Sequence, residues 1–501
     1  MKVLKQVDDM TDQPPQSINK WKTLDKDLGR IVQLEQAVAF INRPMIAISI
    51  GLLFVLICGV AALLLSGGSS STLIIVVAAS FGAYMALNIG ANDVANNMGP
   101  AVGANALTLG GALVIAAIFE TLGALVAGGD VVSTISGGIV APEAVADPNT
   151  FVWAMMAALI SAALWLNLAT WMGAPVSTTH SIVGGVMGAG IAAAGFAAVA
   201  WPKMGQIAAS WVISPVLGGL IAAGFLAFIK AYINDVPEKI AAARRWVPVL
   251  IGIMAGAFTA YLAVKGLKKL IEISLGQAMT LGLVVAIATT LIMRPIVRRQ
   301  SEGLENRKKS LKKLFGLPLV ASAALLSFAH GANDVANAVG PLAAIVHAVQ
   351  DHATDTKVSI PLWVMIIGAA GISFGLVLFG PKLIRMVGSE ITKLNPMRAY
   401  CVALSAAITV IVASWLGLPV SSTHIAVGGV FGVGFYREWH AERRARLNGI
   451  QKGKPVEADE RRRRKLVRRS HFLTIAAAWV ITVPLTALLS ALIFFVIVAV
   501  A

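Results

Sequence analysis

The sequence predicts an all-α polytopic membrane protein with two inverted-topology repeats, broken or re-entrant helices, and an extra N-terminal transmembrane helix. Composition, internal repetition and loop charge lead to this prediction. Of the 501 residues, 57% are hydrophobic and only 13% are charged, which is about half the charged share of a soluble protein. Ten apolar stretches are spread along the chain, and such stretches predict membrane-spanning helices rather than soluble domains.

Two sequence motifs each occur twice and in the same order. GANDVAN fills residues 90–96 and again residues 331–337, an offset of 241 residues, and Gly-Pro follows each copy. PVSTTH at residues 175–180 returns as PVSSTH at residues 419–424, an offset of 244 residues. Two motifs that recur in register indicate an internal duplication of the chain.

Loop charges indicate that the two copies lie in opposite orientations, because Lys and Arg mark short cytoplasmic loops. In the first copy, the loop at residues 66–71 is uncharged and the loop at about 190–205 carries only Lys203. The equivalent loops of the second copy hold eight basic residues in 294–313 and thirteen in 437–470. This asymmetry predicts an inverted repeat, with the N-terminus cytoplasmic and the C-terminus outside.

The elements follow in order from these patterns. They are a cytoplasmic segment (1–43), the extra transmembrane helix with its loop (44–71), the first repeat (72–230), connecting transmembrane helices with a basic cytoplasmic loop (231–313), and the second repeat (314–501) with its basic cytoplasmic loop (437–470). The first apolar span comes too late for a cleavable signal peptide, so we expect it to remain as an anchor. Lys265, Lys268 and Lys269 depart from the pattern, because this topology places their loop outside.

The net charge of +16 is concentrated in the two basic loops. It therefore predicts membrane orientation and contact with anionic lipids, and we expect no nucleic-acid partner.

The GANDVAN segments place polar residues where lipid makes them costly. A charged Asp at the centre of a membrane helix costs roughly 2.5–3.5 kcal/mol, so Asp93 and Asp334 predict a function. Gly and Pro interrupt helices, and matched interruptions in two halves predict a binding site at the midplane. We expect the two aspartates to bind a cation or protons, while capping of a broken helix is the alternative. Glu120 is a third candidate proton or ion site, or else a carboxylate at a helix end.

The PVST segments supply the complementary chemistry. In each copy Pro stops one helix, and a run of hydroxyl residues, Ser177-Thr178-Thr179 or Ser421-Ser422-Thr423, begins the next. Free N–H groups, hydroxyls and the positive end of the helix dipole suit an oxyanion. The alternative is an ordinary Ser/Thr cap beside a buried histidine. An anion held there would be repelled by Asp93 and Asp334 unless cations or protons neutralised them, which is the logic of a symporter.

These doubled motifs, together with Phe119-Glu120-Thr121, resemble the signature of the inorganic phosphate transporter (Pit) family over roughly residues 72–500. The resemblance implies a secondary active transporter that imports inorganic phosphate, free or as a metal complex, by symport with protons or sodium. It further implies alternating access around a midplane site, a homodimer, and a multi-pass location in the cell (inner or plasma) membrane. We expect no enzyme activity, no cofactor and no resident metal.

The resemblance also implies roles for the motif residues. Phosphate contacts are expected at Ser177, Thr178, Thr179, Ser421, Ser422, Thr423, Asn92 and Asn333. The coupling cation or proton is expected at Asp93, Asn96, Asp334, Asn337 and Glu120.

Two alternatives remain open from the residues. A sulfate permease on the same fold would accept another tetrahedral oxyanion at the same hydroxyls. An intramembrane aspartyl protease would also need two membrane aspartates, Asp93 and Asp334, that share a proton. The protease would not need paired PVST helix starts, and the neighbouring Asn side chains fit ion coordination better.

Overall fold

The computed structural model describes residues 45–66, 72–140, 142–145, 147–172, 176–266, 273–350, 358, 360–386, 394–447 and 469–500, with backbone alone for 444–447 and 469–479. The predictions made for residues 1–43, for Lys268 and Lys269, and for most of the basic loop 437–470 lie outside the described residues.

The described residues are almost entirely helical. The first described helix is α1 (Met45–Leu65). The first repeat contains α2 (Thr72–Gly103), α3 (Leu109–Ala127), α4 (Gly129–Gly137), α5 (Pro148–Met172), α6 (Thr178–Ala194) and α7 (Trp201–Ile229). The connecting part contains α8 (Lys239–Lys265), α9 (Leu275–Gln300) and α10 (Lys308–Leu314). The second repeat contains α11 (Gly316–Asp334), α12 (Ala336–Gln350), α13 (Leu362–Leu378), α14 (Gly380–Met386), α15 (Pro396–Trp415), α16 (Ser422–Leu447) and α17 (Arg469–Val500).

The predicted polytopic, all-helical fold is confirmed. Within the described residues, nine helices are long and apolar enough to cross a membrane. A tenth span arises if α10 is counted with the α11–α12 segment, to which it is bent by 46°. The predicted stretch at 362–379 forms α13, which has only 17 residues.

The GANDVAN segments are less interrupted than their Gly and Pro residues predict. Helix α2 passes through the whole first copy with Pro100 inside it, so the predicted break there is wrong. In the second copy only Val335 separates α11 from α12. The Asn side chains explain this continuity, because those of Asn92 and Asn96 donate to distant groups, Val176 O and Thr423 Oγ1. Amides bonded in this way do not compete for the helix backbone.

The true interruptions lie at the PVST segments, as predicted. Helix α5 ends at Met172 and α6 starts after Ser177, whose hydroxyl accepts the His180 N–H at 3.2 Å. Helix α15 ends at Trp415 and α16 starts after Ser421, which accepts the His424 N–H at 3.3 Å. Because α5 packs against α6 and α15 against α16, each repeat forms a helical hairpin whose second helix begins within its PVST segment.

The two repeats pack by exchange of equivalent elements. Helix α2 packs along α13, and its counterpart α11 packs along α3. A glycine makes each contact possible, since a Cβ at Gly90 would overlap Ile372 O and one at Gly331 would overlap Glu120 O. Helices α6 and α17 pair in the same way as α16 and α7. This packing brings polar segments of opposite repeats together. The inverted orientation of the repeats remains a prediction.

Lys265, which departed from the predicted charge rule, has a partner in the structure. Its ammonium group forms an ion pair with Asp130 in the first turn of α4. Thr134, one turn further along α4, donates its hydroxyl to Gly417 O at 2.7 Å. The Lys265 charge is therefore balanced locally, and the same short helix holds the tip of the second hairpin.

Candidate ion and anion site

The two GANDVAN segments and the two PVST helix starts meet inside the protein, each bonded to the other repeat. Asn96 Nδ2 donates to Thr423 Oγ1 at 2.8 Å, and its counterpart Asn337 Nδ2 donates to Thr179 Oγ1 at 3.3 Å. Thr179 Oγ1 in turn donates to Val420 O at 3.0 Å. These matched contacts join a hydroxyl of each helix start to a GANDVAN asparagine of the opposite repeat.

Asn92 and Asn333 hold the loop that precedes the helix start of their own repeat. Asn92 Nδ2 donates to Val176 O at 3.3 Å. Asn333 donates to Leu418 O at 3.2 Å and accepts the Val420 N–H at 3.2 Å. The two asparagines therefore position the backbone around the hydroxyls, and their predicted contact with phosphate remains a prediction.

Asp93 and Asp334 converge on one histidine. His330 Nε2 lies 2.8 Å from Asp334 Oδ2 and 3.7 Å from Asp93 Oδ2, and all three side chains are buried. Asp93 also accepts the Thr423 hydroxyl at 3.1 Å, and Asp334 accepts the Ser422 hydroxyl at 3.2 Å. One ligand atom from each of Asp93, His330 and Asp334 lies within 4.8 Å of the others, a spacing that can hold a metal ion.

Glu120 completes the cluster from α3. Its carboxylate lies 3.3 Å from His330 Nδ1 and accepts from Asn97 Nδ2 at 2.9 Å. The side chain is fully buried in the middle of the helix, so the alternative of a helix-end carboxylate at the interface is wrong. Three carboxylates thus surround a single imidazole.

The cluster contains more acid than base. Within the described part of the chain, Asp93, Glu120 and Asp334 contact amides, hydroxyls and His330, and none of them contacts Lys or Arg. Even with His330 protonated, three ionised carboxylates would leave an excess of negative charge in a buried place, which is energetically costly. The geometry therefore favours uptake of protons or of a cation.

His330 and Asn97 were missed by the sequence interpretation, although comparison of the repeats could have found them. At the repeat offset, the counterpart of His330 is Ile89 and that of Asn97 is Ala338. Packing likewise makes Ile372 the counterpart of Glu120. The backbone oxygen of Glu120 lies against Gly331, and that of Ile372 lies against the equivalent Gly90. The ionisable pair on one side of the duplicated fold thus replaces an Ile pair on the other.

The hydroxyl side of the site is built from helix starts. Ser177 Oγ lies 2.7 Å from His180 Nδ1, and the rings of His180 and His424 have centroids 4.6 Å apart. Thr178, Thr179, Ser422 and Thr423 occupy the first turns of α6 and α16, where backbone N–H groups have no intrahelical partner. All six predicted hydroxyl residues are buried. Thr179, Ser422 and Thr423 bond to the GANDVAN segments, and contact of the six with phosphate remains a prediction.

Comparison with known proteins identifies the family of this chain. The model of the phosphate transporter family matches residues 89–490. A protein of Helicobacter pylori (strain J99) named "Putative phosphate permease" is 45% identical, over 93% of this chain and 98% of its own length. The chloroplastic inorganic phosphate transporter 2-1 of Arabidopsis thaliana is 36% identical, over 82% of this chain and 70% of its own.

A solved structure described as the sodium-dependent phosphate transporter matches with a TM-score of 0.76 and 35% identity, covering 85% of this chain and all of that one. These proteins are transporters rather than enzymes, which leaves no place for the aspartyl protease alternative. Repeated motifs, a multi-pass helical fold and the matched family model converge, and the chain belongs to the phosphate transporter family.

Proposed function

We propose that this protein imports inorganic phosphate by symport with protons or sodium, through alternating access to the buried site. The membrane is the cell (inner or plasma) membrane, with the N-terminus cytoplasmic, and the working unit is a homodimer. The family supports phosphate as substrate, and the sodium-dependent structural relative supports cation coupling.

The observation that carries the proposal is the position of Thr423. Its hydroxyl contacts Asp93 at 3.1 Å and Asn96 at 2.8 Å, although the residue belongs to the first turn of α16. One side chain therefore joins the acid cluster to a helix start suited to an anion. A cation at Asp93, His330 and Asp334 would remove the repulsion that an anion meets there, so occupancy of one site favours occupancy of the other.

In this mechanism the cation or proton binds first. It neutralises the carboxylates, and phosphate then binds between the starts of α6 and α16 through hydroxyls and backbone N–H groups. Co-movement of cations also offsets the membrane potential, which opposes anion entry by about 2.3 kcal/mol per charge per 100 mV. The hairpins α5–α6 and α15–α16 carry the two helix starts, so their displacement would expose the site to either side.

Reconstituted uptake tests the proposal. Proteoliposomes that contain the purified chain are given a proton gradient or a sodium gradient separately, and labelled phosphate uptake is measured. We expect one gradient to drive concentrative uptake, and absence of uptake under both would refute symport. Unlabelled sulfate should compete poorly with labelled phosphate, and equal competition would favour the sulfate permease alternative. A strict requirement of uptake for a divalent metal would identify metal-phosphate as the substrate.

A matched pair of variants tests the anion site. Ser177→Ala removes a predicted phosphate contact, whereas Ser133→Ala removes a hydroxyl that bonds only to its own helix, at Asp130 O. We expect a raised apparent KM for phosphate in the first variant and wild-type kinetics in the second. Unchanged kinetics in Ser177→Ala would remove that hydroxyl from the site.

A further inference from the structure

An apolar groove of about 1190 Å³ lies between α7, α16 and α17, beside the ion and anion site. Helix α7 contributes Trp211, Val216 and Leu220, α16 contributes Phe431 and Phe435, and α17 contributes Val480. We propose that this groove binds an anionic phospholipid, with an acyl chain in the groove and the headgroup at the basic end of α16.

The shape of the groove follows from glycines. Gly219 on α7 faces Gly428 and Gly432 on α16 so closely that a Cβ at Gly432 would overlap Gly219 O. The two helices therefore touch through backbone and leave a shallow floor, while bulky side chains form the rims. Leu220 is 66% exposed and Val480 is 74% exposed. Both rims belong to helices that can span a membrane, where lipid chains are the surrounding solvent.

Charge at one end of the groove selects the headgroup. Beyond Phe435, α16 continues with Tyr436 and Trp439, and aromatic residues of this kind mark the membrane interface. Lys230 Nζ lies 5.5 Å from the Tyr436 ring, and Arg443 Cζ lies 5.2 Å from the Trp439 ring. Basic groups at the interface attract anionic lipids.

The same charges argue against a second copy of the chain as the occupant. A two-fold interface brings the same patch of both subunits together. Two copies joined through this groove would place Lys230 and Arg443 of one subunit near those of the other. A lipid phosphate instead complements them.

The groove also reaches the transport site, which gives the lipid a functional effect. His180 lines its inner end and packs on Trp211 with ring centroids 3.8 Å apart. Trp211 Nε1 donates to Pro419 O at 3.0 Å, and His180 Nδ1 lies 2.7 Å from Ser177 Oγ. An acyl chain in the groove therefore contacts Trp211 and His180, the residues that hold the starts of α16 and α6. This functional effect, unlike lipid binding itself, rests on the proposed transport function.

Photolabelling tests the binding directly. The full chain is reconstituted in phosphatidylcholine vesicles that contain a trace of phosphatidylglycerol with a diazirine on its acyl chain, and labelled peptides are mapped. We expect label on the groove-lining residues of α7 and α16, and competition by unlabelled phosphatidylglycerol above that by phosphatidylcholine. Label spread evenly over all spanning helices would overturn the proposal.

Two neighbouring alanines on α7 supply matched variants. Both Ala208 and Ala209 are exposed, but only Ala208 lines the groove. Ala208→Trp fills the groove and should lower labelling of its lining residues to the level found on the other spanning helices, because the indole ring excludes the acyl chain. Ala209→Trp should leave labelling unchanged, and equal labelling of the two variants would contradict the assignment.

The headgroup and the occupant are tested separately. Arg443→Gln should reduce the advantage of phosphatidylglycerol over phosphatidylcholine, whereas Arg299→Gln, an exposed basic residue on α9, should not. Efficient disulfide formation between copies of Val216→Cys would place a second subunit in the groove and refute lipid binding. Labelling does not require transport. Lipid binding can therefore be confirmed even if the uptake assay refutes the proposed function.

Discussion

Replacing Asp93 by Asn isolates the contribution of one charge to cation binding. The change keeps the size of the side chain and one carbonyl oxygen, so the contacts from Thr423, Asn92 and Asn96 to Oδ1 can persist. What disappears is the negative charge of a side chain that is 1% exposed and lies beside His330. We therefore expect a protein that folds and reaches the membrane but binds its coupling cation weakly.

The magnitude follows from the distance. A unit charge about 4 Å from a bound cation contributes about 4 kcal/mol at an effective dielectric constant of about 20. A loss of this size weakens cation affinity by about a thousandfold, and relaxation of neighbouring groups will reduce the effect. We expect the half-saturating concentration of the coupling cation to rise by between about tenfold and about a thousandfold.

The assay is labelled phosphate uptake by proteoliposomes as a function of proton or sodium concentration. Glu143→Gln is the control, because Glu143 is an exposed acid on a short 3-10 helix, whereas the acids of the cluster are buried. Its cation dependence should match that of the wild type. A wild-type cation dependence in Asp93→Asn, at equal protein per vesicle, would refute the assignment of Asp93 to the cation site.

The other predictions concern packing and the hairpin tips. Thr423→Val removes the hydroxyl that joins both sites and should lower phosphate uptake at least tenfold, since a hydrogen bond to a charged group contributes about 1.5–3 kcal/mol. Gly331→Ala should lower the melting temperature in detergent, because overpacking costs about 1–3 kcal/mol; Gly129→Ala, with open space at its Cβ, should not. Charge reversal at Asp130 or Lys265 alone should impair uptake, and the double exchange should restore it; no recovery would contradict a role for their ion pair.

Much of the site was predictable because duplication makes it visible in the sequence. The recurrence of GANDVAN and PVST identified Asn96 and Asn337 and the hydroxyls to which they bond, but not Asn97. Apolar length predicted the spanning helices, and Pro with Ser predicted the starts of α6 and α16. Helix length and helix starts depend on short stretches of sequence, so they can be predicted without knowing which distant residues meet.

The remainder depended on contacts between distant residues. Nothing local to Asn96 indicates that it bonds to Thr423, 327 residues away. The continuous helix at the first GANDVAN copy has the same origin, because tertiary partners for the Asn side chains outweigh the local tendency of Gly and Pro to interrupt. His330 sits outside both motifs, and only its difference from Ile89 distinguishes it in the sequence.

The ionisable pair Glu120 and His330 also bears on the conformational equilibrium that the proposed alternating access requires. Two identical halves that exchanged conformations would give inward-facing and outward-facing forms of equal energy, so neither form would be preferred at rest. Glu120 and His330 occupy one of the two equivalent positions, and Ile372 and Ile89 occupy the other. Under the proposed alternating access, exposure of the first position would hydrate two polar side chains and exposure of the second would hydrate two alkyl side chains. The two resting forms would then differ in energy.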